Sequence, residues 1–88
     1  MVTRTVSVVN PLGLHARAAA RFVRLAAQFQ STVRVAKGAR ELDGKSILGL
    51  LLLGASRGSE IVIRAEGPDD LAAVEALSRL VTDGFEDA

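Results

Sequence analysis

The sequence has no cysteine, tryptophan or tyrosine, and only one histidine, two prolines and three phenylalanines among 88 residues. Without cysteine there can be no disulfide, thiolate chemistry or cysteine-ligated zinc, and a reducing compartment suits the chain. One histidine cannot furnish a histidine-rich metal site, so neither metal nor cofactor is expected. The longest purely apolar run, Leu50 to Leu53, is far too short for a signal or a membrane span, and Met1-Val2-Thr3-Arg4 leads straight into a strand pattern. A soluble cytoplasmic protein with no membrane insertion is expected. Acidic residues are missing from the first part of the chain. Met1 to Arg40 holds seven Lys/Arg and no acid, whereas Glu41 to Ala88 holds four Lys/Arg and all ten acids, so the two segments carry +7 and −6. A basic segment of this kind favours an anionic ligand or a partner with an acidic surface. The scarcity of aromatics and the lack of any nucleic-acid motif argue against DNA or RNA as that ligand. The length fits a single domain over residues 1–88 with one two-layer core and no room for an enclosed substrate chamber, and it favours a free monomer.

What is present is organised around Asn10-Pro11-Leu12-Gly13-Leu14-His15-Ala16-Arg17-Ala18-Ala19-Ala20. Pro11 and Gly13 break the preceding apolar run, while Ala16 to Ala27 contains strong helix formers and no breaker, which puts His15 at a helix N-terminus. The first amides of a helix lack intrahelical partners and the dipole there is positive, so such an end suits a phosphate or another anion. Arg17 adds a permanent cation within one turn. Imidazole is a nucleophile able to form a covalent intermediate, and a phosphoryl group on His15 would be held by the amides of Ala16 and Arg17 together with the Arg17 guanidinium.

Along the chain, Val2 to Val9 alternates as a strand with one covered face. The following helix places Ala19, Phe22, Val23, Ala26 and Phe29 on one face and a row of Arg17, Arg21, Arg24 and Gln28 elsewhere. Ser31 to Ala36 and Arg40 to Asp43 form a hairpin about Lys37-Gly38. Ser46 is a plausible N-cap for a helix over Ile47 to Leu53, apolar almost all round, of which about half the positions can be covered by a sheet. The remainder forms an exposed patch suited to docking. Glu60 to Glu66 alternates as a fourth strand. Gly67-Pro68-Asp69-Asp70 starts a third helix, with proline at its first position and Leu71, Val74, Leu77, Leu80 and Val81 on its apolar face. Gly84 ends that helix before a short acidic tail. The order βαββαβα points to an α+β fold with helices covering one face of an antiparallel sheet.

Asp43-Gly44-Lys45-Ser46 ends like a nucleotide-binding P-loop, but that motif has a further glycine separated from the Gly-Lys pair by four residues. Ala39 stands there, and Glu41 and Asp43 would repel phosphates, so nucleotide binding is rejected.

The ordering Gly13-Leu14-His15-Ala16-Arg17-Ala18-Ala19 resembles the active-site segment of the histidine-containing phosphocarrier (HPr/NPr) family of bacterial phosphotransferase systems, and Lys45-Ser46-Ile47 is similar to its second signature. The resemblance spans nearly the whole chain. It implies an open-faced sandwich with strand order 1-4-2-3 and all three helices on one side. It further implies a phosphocarrier that is not itself an enzyme. His15 would be phosphorylated at Nδ1 by enzyme I, with Arg17 stabilising the phosphate, and would then pass the group to a IIA-type protein or domain. The implied docking face is Ala20, Arg24 and Ala27 beside Ile47, Leu48 and Leu51. Ser46 is the position that a dedicated HPr kinase/phosphorylase modifies in many members, which weakens docking to enzyme I. Gly49 and the run Leu50 to Leu53 depart from common members and are similar to the nitrogen-related branch, leaving sugar uptake and carbon or nitrogen regulation both open. The competing reading is a non-phosphorylated regulatory module that uses the basic face and the leucine-rich helix; the intact His15 and Arg17 argue against it.

Overall fold

In the computed structural model, which describes residues 1–86, the alternating segments become β1 (Val2–Ser7), β2 (Thr32–Lys37), β3 (Arg40–Asp43) and β4 (Glu60–Glu66). They are joined by α1 (Ala16–Ala26), α2 (Ile47–Leu53) and α3 (Asp70–Thr82), and a 3₁₀ turn follows at Gly84–Glu86. The strands form one antiparallel sheet in the order β1-β4-β2-β3. The period of two decides which side is covered. Ile61, Ile63 and Ala65 of the central strand β4 are buried, as are Val33 and Val35 of β2 and Val6 of β1. Ala18, Ala19, Phe22 and Ala26 of α1, Leu50 and Leu53 of α2, and Val74, Leu77 and Val81 of α3 close the core over that face. The other face is open. There Arg34 and Arg64 stand directly opposite each other in the β2–β4 register, and Glu41 of β3 pairs with both, which relieves their repulsion.

The sheet edges and helix starts differ in places from the sequence expectation. β1 stops at Ser7, because Val8 leaves the β4 ladder to exchange hydrogen bonds with the 58–59 turn: its amide donates to Ser59 and its carbonyl accepts from Gly58. α3 begins at Asp70, so Pro68 lies ahead of the helix and Asp69 is the N-cap residue. The Asp69 carboxylate does not cap its own helix. It accepts from the amides of Gln30 and Ser31, both at 2.9 Å, and from the Ser31 hydroxyl, lashing the α1–β2 turn to the β4–α3 turn. The Ser31 hydroxyl bond, followed by the Gln30 amide, holds the carboxyl below its ordinary value. Leu71 is 54% exposed, because the buried stripe of α3 runs through Ala73, Val74, Leu77, Ser78 and Val81 and leaves it on the outward side.

The larger correction is at the C-terminal end. Gly84 does stop α3, yet the very next residue belongs to the core. Phe85 is fully buried, with a left-handed backbone at φ 57°, and its carbonyl accepts from the Arg21 guanidinium at 2.6 Å. Asp87 of the expected acidic tail lies outside the described residues.

Candidate functional site

The loop that presents His15 is built from its own short-range bonds and from one neighbour. The amide of Gly13 donates to the Asn10 carbonyl at 3.1 Å, and the buried Asn10 side-chain amide donates to the Gly13 carbonyl at 2.7 Å. Leu14 turns into the core, and its amide donates to the carbonyl of Ala55 at 2.9 Å. Gly13 is required twice over: its φ is +64°, and a Cβ there would lie 2.6 Å from the Ala55 carbonyl oxygen. The chain therefore reaches His15 by resting on the loop between α2 and β4.

His15 is the N-cap of α1. Its backbone is extended (φ −76°, ψ 179°), its carbonyl accepts the first helical bond from Ala19, and its side-chain Nδ1 accepts from the Arg17 amide at 3.2 Å. An N-cap acceptor is ordinarily a Ser, Thr, Asp or Asn oxygen. Here a ring nitrogen fills that role, which requires Nδ1 to carry a lone pair and assigns the proton of the neutral ring to Nε2. Nδ1 thus points at the amides of the first turn, where partial positive charge collects. Half-exposed, His15 is open to a partner, and Ala16 and Arg17 beside it are exposed.

The remaining expected residues divide between two helices. On α1, Arg24 is exposed and Ala20 is half-buried, and Ala27, the C-cap residue, is exposed. The guanidinium row is interrupted, because Arg21 is drawn to Phe85. On α2, Ser46 is the N-cap, its hydroxyl accepting from the Gly49 amide at 3.0 Å. Ile47, Leu48 and Leu51 are exposed, Leu48 to 66%, while Leu50 and Leu53 face inward. Because α1 packs on α2, the two sets stand on neighbouring helices. The sequence reading missed Leu12, 69% exposed in the His15 loop, and Leu52, exposed beside Leu48 and Leu51. For Leu52 a signal existed: positions 47, 48, 51 and 52 form the outward stripe once 50 and 53 are assigned to the core.

Among the described residues no His/Cys/Asp/Glu cluster could hold a metal ion, and no helix is long and apolar enough to cross a membrane.

Comparison with known proteins bears on the chain nearly end to end. A family model described as the PTS HPr component phosphorylation site matches residues 2–83. The phosphocarrier protein HPr of Cupriavidus necator is 40% identical over 85 residues, covering 97% of this chain and 96% of its own. That of Xylella fastidiosa strain Temecula1 is 41% identical over 87 residues, covering 99% and 98%. Among solved structures, an HPr of Thermoanaerobacter tengcongensis superposes with a TM-score of 0.95 at 39% identity, covering 100% of this chain and 99% of that one. The swapped dimer of Crh from Bacillus subtilis gives 0.78 at 39% identity, covering 96% and 97%. The shared sheet order and helix placement, together with this family match across residues 2–83, establish that the chain belongs to the HPr family, the phosphocarrier proteins of the phosphotransferase system.

Proposed function

We propose that His15 is the phosphoryl acceptor, charged by the phosphohistidine of enzyme I and discharged to a IIA-type protein or domain. The observation that carries this reading is the orientation of Nδ1 toward the Arg17 amide at 3.2 Å. In the transfer, the Nδ1 lone pair forms a bond to phosphorus as the N–P bond of the donor histidine breaks. The donor ring leaves neutral and the His15 ring keeps its Nε2 proton, so the exchange needs no proton transfer and runs equally well in reverse. The Arg17 amide, no longer able to donate to Nδ1, turns to a phosphoryl oxygen. The Ala16 amide and the Arg17 guanidinium complete the cradle. A dianion held by helix-end amides and one guanidinium is stabilised yet still exposed enough to be handed on. The chain is a substrate of its partners and not an enzyme.

Docking uses Ala20 and Arg24 of α1 and its C-cap residue Ala27 with Ile47, Leu48 and Leu51 of α2, an apolar patch beside cations that fits an acidic-rimmed apolar surface. Each chain holds one complete His15 loop and one such patch, which supports a monomer as the working form. Ser46 is the regulatory position. A phosphate there, added by an HPr kinase/phosphorylase, would set a dianion at the N-terminal edge of the leucine patch and repel the acidic partner.

The test is a transfer assay. Incubation with phosphoenolpyruvate and enzyme I should add one acid-labile phosphoryl group, seen by intact mass, that disappears when a IIA protein is added. His15→Ala should never acquire it. A group that His15→Ala still acquires, or one stable to acid, overturns the reading.

A further inference from the structure

Between residues 37 and 45 three cationic side chains end on backbone carbonyls. Lys37 Nζ donates to the Gly54 carbonyl at 3.1 Å, Arg40 Nη1 to that of Leu52 at 2.7 Å, and Lys45 Nζ to that of Phe29 at 2.8 Å. The first two converge on the end of α2. That helix has seven residues and no basic side chain in its last turn, so its unpaired carbonyls and negative dipole end are met by cations reaching over from the β2–β3 hairpin. The same short stretch is engaged again just beyond the helix. One residue after Gly54, the carbonyl of Ala55 accepts the Leu14 amide, and Gly13 packs against Ala55 and Ser56. Within four residues, the carbonyls of Leu52, Gly54 and Ala55 tie together the hairpin, the leucine-rich helix and the His15 loop.

We infer that Lys37 and Arg40 are positioning residues for phosphoryl exchange: they fix segment 52–55, and that segment in turn sets where the α2 patch and the His15 loop stand relative to each other. The inference rests on the carrier reading given above. A helix of two turns has little cooperativity to spare. Loss of its terminal caps frays the turn that holds Leu51, and the displacement reaches Leu14 through the Ala55 carbonyl. The charge matters because the partners are carbonyls, so lysine can replace arginine here without loss of a donor.

The experiment compares Arg40→Ala, Lys37→Ala and the conservative Arg40→Lys with Arg4→Ala, which removes a cation at the opposite edge of the sheet. Two quantities are read: KM and kcat for phosphorylation by enzyme I, and the position of the Leu14 amide resonance in the free protein. Each alanine variant of the hairpin should raise KM about three-fold with kcat nearly unchanged, and should move the Leu14 amide although neither substitution touches Leu14. Arg40→Lys should restore both values, and Arg4→Ala should move neither. Should Arg40→Ala destabilise the fold, Arg40→Gln is measured in its place. An unmoved Leu14 amide, or a KM equal to that of Arg4→Ala, overturns the proposal. Failure of the wild type to be phosphorylated at all would instead overturn the carrier reading, and the Leu14 resonance would still test the strut.

Discussion

The amide of Leu14 donates to the carbonyl of Ala55 at 2.9 Å, and Gly13, the residue before it, lies so close to that carbonyl that only a hydrogen fits on its Cα. The His15 loop is seated on the α2–β4 loop by this contact. Gly13→Ala puts a Cβ 2.6 Å from the Ala55 oxygen at a φ of +64°. It should cost about 1–3 kcal/mol in urea unfolding and slow phosphoryl acceptance, because the loop must lift to accommodate it. A wild-type unfolding midpoint with unchanged transfer would contradict this account of the loop.

Phe85 is fully buried at the end of the described chain, with its carbonyl on Arg21. Phe85→Ala should destabilise by about 3–5 kcal/mol, the range for emptying a buried aromatic site. Phe85→Leu should recover much of the loss. Thermal unfolding measures both, and a loss under about 1 kcal/mol for the alanine variant would show that the segment is not part of the core.

Asp69 predicts a pH dependence. Its hydrogen bonds to Ser31 and Gln30 hold the folded-state value below the ordinary 3.8, so its contribution to stability is present above 3.8 and is lost as pH falls through the lower folded value. Wild type should exceed Asp69→Asn in stability at neutral pH, and the gap should close in acid as the carboxylate takes up its proton. Chemical denaturation at a series of pH values gives the two curves. Parallel curves from neutral pH down to below 3 would contradict the assignment.

Leu48 is 66% exposed on α2, so Leu48→Ala should change stability by no more than about 0.5 kcal/mol. Its effect should appear in docking, with KM for enzyme I rising roughly ten-fold. Ser46→Asp should act in the same direction by placing charge at the edge of that patch. Unfolding and initial-rate measurements on the same preparations separate the two effects, and an unchanged KM for Leu48→Ala would remove α2 from the docking face.

Much of this arrangement could be read from the residues. The bounds of α2, its Ser46 cap, the alternation in β4 and the His15 boundary all come from local pattern, because each rests on a period or a cap that adjacent residues specify. Phe85 could not be read in this way. It lies beyond a glycine stop, among acids, and only the packing of α3 against α1 gives it a place in the core. The same holds for Asp69, whose sequence position suggests a helix cap but whose carboxylate goes to the amides of Gln30 and Ser31, 39 and 38 residues away. Lys37 and Arg40 read as ordinary charges of a hairpin, and nothing local reveals that they close the end of α2. Long-range carbonyl partners leave no period in a sequence.

In the proposed transfer the phosphoryl group sits on Nδ1 of His15, in reach of the first amides of α1. Nitrogen-15 NMR of the imidazole before and after charging by enzyme I tests it most directly. Nδ1 should become the substituted nitrogen while Nε2 keeps its proton, and the Arg17 amide resonance should move as its partner changes from ring nitrogen to phosphoryl oxygen. A phosphoryl group on Nε2, or an Arg17 amide that does not respond, would contradict it.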